Sequence, residues 1–304
     1  MSYTSEMNPN PSRLHERSTW VALAVSLFVM VMSVSVPVES TAEPLEYHAF
    51  AALDVQANFS WINGRMGFEQ EIGGIGTLND FRNDLGLPQE NRTLQINLAV
   101  RPLEHHVLRM YGRIPEYYTG ETIATRELRT RLVSLNPPTP HIYPAGTEIK
   151  SELRTAMFGF GYDLDLLVGP RWYGGLNGDL KYLDLQVRMG SATSSLEDTI
   201  TLDELIPCLG AHVQTRWPFL ADRIFAAPTA GGFARMAYGI TPNFLNYVDC
   251  SMGLTCSLRP SYCAAIEAKV GYEHESVFHN QEIGSGRTVE LKRDGIFVSL
   301  DAIF

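Results

Sequence analysis

The chain has 304 residues, of which 45% are hydrophobic and 19% are charged, and its formal net charge is −10. These fractions exclude disorder as the overall state, and the acidic balance argues against general binding to nucleic acid. The mean hydropathy is −0.07 and one long apolar run is present, which excludes a bundle of several transmembrane helices. A soluble globular protein and a membrane β-barrel, whose composition looks soluble, remain.

The N-terminal segment has the pattern of an export signal. Arg17 precedes the apolar run Trp20–Val36, and the small residues of Ser40–Ala42 follow it. A basic flank, an apolar core and small residues two apart predict a secretory signal peptide over residues 1–42. The core is longer than usual for a signal, so an uncleaved membrane anchor is the alternative. In both cases we expect residues 43–304 to leave the cytosol.

A period of two, apolar then polar, runs along nearly the whole mature chain. In the segment 51–61, for example, the odd-numbered residues are all apolar and the even-numbered residues are mostly polar. Successive side chains of a β-strand point to opposite faces, so each such segment predicts a strand with one apolar and one polar face. Ten strands are predicted, in the segments 51–61, 94–101, 108–118, 156–165, 176–189, 205–217, 225–238, 248–258, 264–273 and 296–304.

Two of these segments depart from the simple pattern. In 176–189 the apolar residues change parity after Tyr182, which predicts either a β-bulge or a strand that leaves the membrane at that residue. The segment 225–238 contains Pro228 and the pair Gly231–Gly232, and both residue types weaken a strand. It is therefore the least regular of the predicted strands.

The connections between the predicted strands alternate in length. Short connections are predicted at 102–105, 169–172, 217–221 and 259–261, and longer ones at 63–87, 136–146, 190–199 and 280–287. Short turns on one side and long loops on the other are typical of outer-membrane barrels, with the long loops outside the cell. We therefore predict an all-β fold, a single antiparallel transmembrane β-barrel of about ten strands with short periplasmic turns and longer extracellular loops.

A soluble β-sandwich also alternates apolar and polar faces, and it is the alternative fold. Two features favour the barrel. The polar face contains many glycines and alanines, which suit a narrow lumen. The C-terminal strand has an apolar face that ends in an aromatic residue, a pattern similar to the signal read by the outer-membrane assembly machinery; its residues are Ile296, Val298, Leu300, Ala302 and Phe304.

In a barrel the apolar face contacts lipid and the polar face lines the lumen. Aromatic side chains near the strand ends are predicted to lie at the membrane surfaces: Trp61, Tyr117, Tyr118, Trp172, Tyr182 and Trp217. The charged side chains of the polar face have both signs: Asp54, Arg101, Arg109, Arg113, Asp163, Asp165, Asp179, Lys181, Arg216, Glu267, Lys269, Glu273 and Asp301.

In a narrow, weakly hydrated lumen, opposite charges attract strongly and unpaired charges are costly. We therefore predict a network of ion pairs that closes the lumen. The arginines at 101, 109 and 113 are expected within reach of Asp54, because their strands neighbour the first strand. A selective channel of small bore is the alternative.

Four cysteines occur in the mature chain, at positions 208, 250, 256 and 263. An even number in an exported protein permits two disulfides in any of three pairings, and free thiols are the alternative. A bridge between Cys256 and Cys263 would close a tight hairpin. However, the alternation places these two side chains on opposite faces, whereas a cross-strand bridge requires one face. This bridge is therefore not expected.

No motif in the chain predicts a catalytic, cofactor or metal site. The two histidines in 274–279 are one residue too far apart for the zinc-binding H-E-x-x-H pattern. Asp163 and Asp165 share a face, but they lie near a predicted periplasmic turn, whereas an outer-membrane protease requires its acids at the external rim. A lipid hydrolase would need Ser, His and an acid together at the lipid-facing rim, which a pattern along one chain does not reveal. We therefore expect no enzyme activity and no cofactor.

The chain resembles the small outer-membrane β-barrel proteins of Gram-negative bacteria, broadly the OmpA/OmpW-like group, in a barrel-only form. The resemblance covers about residues 46–304 and rests on the strand rhythm, on Asp80–Leu87, on Lys181–Leu185 and on Phe304. It implies a location in the outer membrane, contact with its lipid and lipopolysaccharide, and insertion by the assembly machinery. These motifs specify the fold rather than an activity, so no catalytic residue is carried over.

We therefore expect an outer-membrane barrel with a structural or small-solute, porin-like role, whose lumen is closed by ion pairs. Two other classes of function remain as alternatives. One is a barrel enzyme that acts on lipid or peptide at the external rim, and the other is a surface-binding protein that uses its long loops.

Overall fold

The computed structural model describes residues 50–68, 77–103, 105–131, 140–169, 171–193, 197–218, 229–241, 245–261, 264–281 and 287–304. The predicted signal peptide and Cys263 lie outside these residues. Thirteen strands are found within them: β1 (Ala51–Phe68), β2 (Leu78–Asp80), β3 (Glu90–Leu103), β4 (His106–Ile123), β5 (Leu128–Arg131), β6 (Pro140–Tyr143), β7 (Glu148–Gly169), β8 (Trp172–Ser191), β9 (Glu197–Pro218), β10 (Thr229–Ile240), β11 (Leu245–Ser261), β12 (Ala264–Gln281) and β13 (Arg287–Ile303). No helix in this part of the chain is long and apolar enough to cross a membrane.

Ten of these strands form one closed antiparallel barrel. Its order is β1, β3, β4, β7, β8, β9, β10, β11, β12 and β13, and β13 pairs back onto β1. The pairing that closes the barrel runs from Ala52 with Ile303 at the periplasmic end to Phe68 with Arg287 at the extracellular end. The predicted all-β fold and the ten-stranded antiparallel barrel are therefore confirmed. The short strand β2 pairs with the end of β1, and β5 and β6 form a separate hairpin.

The outer surface of the barrel carries a broad apolar band. On β13, for example, Ile296, Val298 and Leu300 are exposed, whereas Ser299 and Asp301 between them are buried. Exposed leucine, isoleucine, valine and phenylalanine side chains continue the band on neighbouring strands such as β1, β3, β7 and β12. An apolar surface of this extent contacts lipid rather than water. The barrel therefore spans a membrane, and the soluble β-sandwich is excluded.

The strand β8 continues without a bulge through Tyr182. Its pairing with β7 is unbroken from Gly175 to Ser191, and Tyr182 is exposed while Leu183 and Leu185 are buried. The change of parity therefore marks the level at which the strand leaves the membrane. Beyond this level the inward face of the strand becomes apolar and the outward face becomes polar.

Tyr118 does not belong to the aromatic girdle, so this part of the prediction is wrong. Only 1% of its surface is exposed, whereas Tyr117 is 59% exposed. The register of β4 with β7 shifts between Arg113 and Glu116, and an irregularity of this kind changes which residues face inward. Glu116 and Tyr118 therefore point into the barrel, as Arg113 does before the shift.

Several strands are longer than the alternation predicts. β7 begins at Glu148 and β12 ends at Gln281, so both extend further toward the extracellular end. Of the predicted strand 225–238, the described part begins at Thr229 and lies in β10, and residues 225–228 are outside the described residues.

The extracellular half of the barrel interior is filled by an apolar core. Its side chains come from most strands around the barrel and include Ile62, Met66, Ile149, Leu153, Leu183, Leu185, Val187, Met189, Ile200, Leu202, Val277, Val289 and Leu291. Full burial of such a side chain contributes about 1.5–3 kcal/mol to folding. From the alternation only polar residues were expected in the lumen, so this apolar core was not predicted.

A cap formed by residues 78–89 adds to the apolar core. Phe81, Leu85 and Leu87 are buried within it. The cap packs closely on β4, because a Cβ atom at Gly120 would lie 2.4 Å from the carbonyl oxygen of Gly86. Gly86 itself has a φ of 64°, a left-handed conformation that glycine adopts at little cost. The cap is therefore held against the barrel by backbone as well as by side chains.

Candidate functional site

The periplasmic half of the lumen contains a cavity of about 320 Å³, which we call the vestibule. It extends from Phe50 and Ile303 at the periplasmic end to Arg113 and Met157 deeper inside. Most of the predicted lumen charges line it: Asp54, Arg101, Arg109, Arg113, Asp163, Asp165, Asp179, Lys181, Lys269, Glu273 and Asp301. The predicted charges thus surround a polar chamber beneath the apolar core.

Two arginines and two aspartates form a ring in the vestibule wall. Arg109 Nε lies 2.8 Å from Asp163 Oδ2, and its Nη2 lies 2.7 Å from Asp179 Oδ1. Arg235 Nη2 reaches the same two carboxylates at 3.0 and 3.2 Å. Each carboxylate is therefore shared by both arginines, so that either arginine alone still contacts both acids.

Other predicted charges pair elsewhere in the vestibule. Arg101 Nη1 lies 2.8 Å from Asp165 Oδ2, and His212 Nε2 contacts the other oxygen of that aspartate at 2.8 Å. On the opposite wall Lys269 Nζ lies 2.5 Å from Asp301 Oδ2. Lys269 Nζ also lies 3.4 Å from Glu267 Oε1, and Arg216 Nη2 lies 3.0 Å from Glu267 Oε2. These contacts form one chain of ion pairs: Arg216, Glu267, Lys269 and Asp301.

The expected pairing of the arginines with Asp54 differs from what is found. The acids that contact Arg109 and Arg113 belong to β7, β8 and β12, across the lumen or on the next strand. Asp54 Oδ2 instead accepts a hydrogen bond of 2.8 Å from Asn97 Nδ2 on the adjacent strand β3. An arginine side chain is long enough to cross a narrow lumen. Which strands are adjacent therefore does not determine which acid an arginine contacts.

Between the vestibule and the apolar core lies a charge layer of five side chains, Arg113, Glu116, Glu273, Glu275 and Arg293. Arg113 Nη1 lies 2.7 Å from Glu275 Oε2. Arg293 contacts Glu116 at 3.0 Å, Glu273 at 2.5 Å and Glu275 at 3.2 Å. All of these side chains are less than a tenth exposed. Buried charges at such a site are tolerated only when they are paired.

A buried lysine completes this level of the lumen. Lys181 Nζ contacts the carboxylate of Asp249, and it lies 3.2 Å from the Tyr247 hydroxyl and 4.6 Å from the centre of its ring. The Tyr247 hydroxyl in turn donates to Glu275 Oε1 at 3.1 Å. Lys181 is therefore connected through Tyr247 to the charge layer.

Several members of these networks were not predicted from the sequence. Glu275 and Arg293 lie just beyond the predicted ends of their strands, and continuing the alternation by one or two steps would have found them. Glu116 faces inward because of the register shift in β4, and simple alternation along this strand did not predict that orientation. Arg235 lies on β10, the least regular of the predicted strands, and Asp249 faces inward on β11 but was left out.

Ion pairs also hold the extracellular cap. Arg126 Nη2 lies 2.7 Å from Asp84 Oδ2 and donates to the Leu78 carbonyl oxygen at 2.8 Å. Burial acts to raise the pKa of Asp84, but hydrogen bonds from Arg126 and from the Asp80 backbone N–H outweigh it, so that this pKa is lowered. The ionised form of Asp84 is therefore the one that the cap stabilises.

The hairpin of β5 and β6 is anchored to β9. The hydroxyl of Tyr143 donates to Asp198 Oδ2 at 2.7 Å, and His141 Nδ1 lies 3.0 Å from Asp198 Oδ1. Burial, the hydrogen bond to Asp198 and the negative charge of that residue raise the pKa of the Tyr143 hydroxyl. These contacts attach the hairpin at the extracellular end, above the apolar core.

The other residues that were predicted from the sequence have simpler environments. The apolar face of the C-terminal strand is exposed on the barrel surface, with Leu300 58% and Phe304 61% exposed. Cys208 is buried, Cys250 is partly buried and Cys256 is exposed, and all three are free thiols. Because Cys263 is outside the described residues, the expectation that Cys256 and Cys263 form no bridge stays a prediction.

Comparison with known proteins finds solved structures of low similarity and no match by sequence. No protein-family model matches the chain, and no curated protein matches it significantly. Similar solved structures include the outer membrane protease OmpT from Escherichia coli, with 10% identity, 83% of this chain and 97% of that chain covered, and a TM-score of 0.45. The transport unit of the autotransporter AIDA-I from Escherichia coli has 8% identity; the match covers 92% of this chain and 96% of that chain, with a TM-score of 0.39. The translocator domain of the autotransporter NalP from Neisseria meningitidis has 10% identity; the match covers 92% of this chain and 97% of that chain, with a TM-score of 0.28.

At these identities and scores the comparisons assign no subfamily and no activity. The class of protein follows from the chain's own geometry: a closed antiparallel barrel of ten strands with an apolar outer band. Barrels of this kind belong to the outer membrane. The chain is therefore an outer-membrane β-barrel protein.

Proposed function

We propose that the protein is a sealed outer-membrane barrel with a structural role in the envelope, in which no solute passes through the lumen. The single observation that carries this proposal is that the charge layer and the apolar core, one above the other, both fill the barrel interior. The charge layer spans the middle of the lumen, and the apolar core fills the extracellular half above it.

The charge layer and the apolar core oppose the passage of ions for different reasons. An ion that enters the charge layer must break pairs such as Arg293 with Glu116, and buried pairs of this kind are costly to separate. An ion that enters the apolar core must lose its water without gaining a polar partner. The vestibule is consequently a dead-end chamber that is open to the periplasmic side.

The resemblance to the OmpA/OmpW-like group and the cleaved signal peptide belong to the same proposal. So does contact with lipopolysaccharide and with the assembly machinery. A porin-like passage of very small solutes is the alternative that the flux experiment tests. The OmpT and autotransporter barrels among the similar structures provide no argument for any one of these roles.

Absence of enzyme activity is proposed for the lumen only. Several carboxylates of the vestibule are held by arginine, histidine or lysine partners, as Asp163, Asp165 and Asp301 illustrate.

Solute flux into proteoliposomes tests the proposal. The refolded full-length protein is reconstituted in vesicles, and uptake of small neutral and charged solutes is compared with uptake into protein-free vesicles. We expect the two rates to be equal for every solute. Uptake of any small solute that is clearly faster with the folded protein would overturn the sealed-barrel proposal.

A further inference from the structure

Four side chains form a row on the outer wall of the barrel, across three neighbouring strands. Cys250 of β11 pairs in register with His274 of β12, and His274 pairs in register with Asp294 of β13. His274 Nδ1 lies 2.7 Å from Asp294 Oδ1, and the Tyr272 hydroxyl donates to the same oxygen at 2.5 Å. We call these four residues the rim row.

The rim row lies at the extracellular edge of the apolar band. On the periplasmic side of it, Val270 and Ile296 of the same strands face outward and are 49% and 47% exposed. On the extracellular side the outward positions become charged, as with Lys292. Trp61 pairs in register with Asp294 and is 43% exposed, and tryptophan favours the membrane interface. The row is therefore at the depth where acyl chains join lipid headgroups.

The order of the functional groups in this row is that of a nucleophile, a general base and an orienting acid. When Nδ1 of His274 donates to Asp294, the proton-accepting position of the imidazole is Nε2. The hydrogen bond from Tyr272 holds the Asp294 carboxylate in place. Directly paired residues on neighbouring strands have Cβ atoms about 4.5–5.5 Å apart, so the register places Cys250 and His274 next to each other on the outer wall.

We propose that the rim row is a catalytic site that hydrolyses acyl esters of lipids in the outer leaflet. His274 takes the proton of the Cys250 thiol as the sulfur bonds to the ester carbonyl carbon. The ester C–O bond then breaks, and His274 gives the proton to the departing alkoxide, which leaves a thioester on Cys250. Water, deprotonated by His274, attacks the thioester carbonyl; the C–S bond breaks, the thiol regains its proton, and a free fatty acid is released.

The position of the row determines the class of substrate. An acyl ester located at the interface reaches the outward-facing thiol laterally from the membrane, without entering the lumen. Lys292 pairs in register with Ser276 on the same outer face, one step nearer the cell surface, and its ammonium suits the negative charge of a lipid phosphate. The ester could come from a phospholipid or from lipopolysaccharide, because both combine acyl esters with phosphate. This activity goes beyond the sealed lumen and does not depend on it.

A second thiol of the same strand provides a matched control. Cys256 is exposed and faces outward on β11, as Cys250 does, but its register partners on the two neighbouring strands are Ala230 and Ala268. It therefore has a thiol in the apolar band without a cross-strand histidine beside it. Substitution of Cys256 removes a lipid-facing sulfur while it leaves the rim row unchanged.

The experiment compares the full-length wild type with Cys250→Ala, His274→Ala and Cys256→Ala after refolding into vesicles. One set of vesicles contains phospholipid with labelled acyl chains, and a second set also contains lipopolysaccharide. Released fatty acid is quantified, and acyl groups on cysteine are identified by mass spectrometry with and without hydroxylamine. Heat-modifiable migration on a gel confirms that each variant is folded.

We expect fatty acid release by the wild type and a hydroxylamine-sensitive acyl group on Cys250. Cys250→Ala should abolish release, His274→Ala should lower its rate by roughly 10²–10⁴-fold, and Cys256→Ala should leave it unchanged. Release from only one vesicle type would identify the lipid that supplies the ester. The proposal is overturned if the folded wild type releases no fatty acid from either vesicle, or if Cys250→Ala retains the wild-type rate. Neither result bears on whether the lumen conducts, so the sealed-barrel proposal is tested separately.

Discussion

The two halves of the lumen are filled according to opposite physical principles. In the extracellular half, side chains such as Leu185 and Val187 form an apolar core, as in a soluble protein. In the periplasmic half, charges such as Arg109 and Asp179 surround a chamber. The difference follows from the surroundings: within the membrane the outer face must be apolar, so the inner face is polar, whereas above the membrane the outer face contacts water and the inner face can be apolar.

The charge layer lies where these two halves meet, and it should be the most sensitive part of the barrel. Arg293→Ala leaves Glu116 and Glu273 buried without their shared partner. Breaking a buried pair from one side typically costs about 3–5 kcal/mol. Urea unfolding of the refolded barrel should show a loss of this size. Arg188→Ala removes an arginine that is 47% exposed, and it should change the free energy of unfolding by less than about 0.5 kcal/mol. Equal effects of the two substitutions would show that the layer has no special role.

A deletion in the apolar core should have the next largest effect. Leu185 is completely buried, and Leu185→Ala is expected to cost about 2–5 kcal/mol because it leaves a cavity. Leu205→Ala is the matched control, since this leucine is 54% exposed on the lipid-facing surface and lipid can fill the space. The same unfolding assay should rank the two variants in this order, and a larger loss for Leu205→Ala would contradict the assignment of the core.

The vestibule should tolerate single substitutions better than the charge layer. Arg109→Ala leaves Arg235 in contact with both Asp163 and Asp179, so we expect a loss of only about 1–3 kcal/mol. Arg235→Ala should behave similarly, because Arg109 remains. The double variant removes both arginines, and its loss should exceed the sum of the two single losses. Strict additivity in this double-mutant cycle would indicate that the two arginines do not share their acids.

The cap should provide the smallest effect, and it should depend on pH. Because the pKa of Asp84 is lowered in the folded protein, its contribution is fully present above the ordinary aspartate pKa, near about 4, and is lost as the pH falls through the lowered value. Arg126 is half exposed, so the contribution is at most about 1 kcal/mol. Protease cleavage of the cap should therefore increase in acid for the wild type. Asp84→Asn should remove that pH dependence, and an unchanged dependence in this variant would show that another group is responsible.

The same comparison explains what the sequence could predict. Within the membrane the alternation of apolar and polar residues is imposed by lipid on one side, and all ten strands were identified from it, including the weak β10. Above the membrane the alternation reverses, so the predicted strands stopped short and the apolar core was missed. The parity change after Tyr182 was the one visible sign of this reversal.

The partners of the lumen charges could be predicted only in part. Strand parity indicates that Arg113 and Glu273 both face inward, and they are 3.9 Å apart. It does not indicate which acid an arginine reaches across the lumen, because that depends on strand tilt and side-chain length. The rim row was hidden for a related reason: Cys250, His274 and Asp294 are far apart in sequence, and only the register of three strands brings them side by side.

Conductance in planar lipid bilayers tests the central claim most directly. The purified wild-type protein, shown to be folded and inserted by heat-modifiable migration, is added at ordinary salt and neutral pH. The charge layer around Arg293 and the apolar core around Leu185 both block the lumen. We therefore expect no steady current above the current through a protein-free bilayer. Stable, stepwise conductance of the kind that open porins produce would contradict the account.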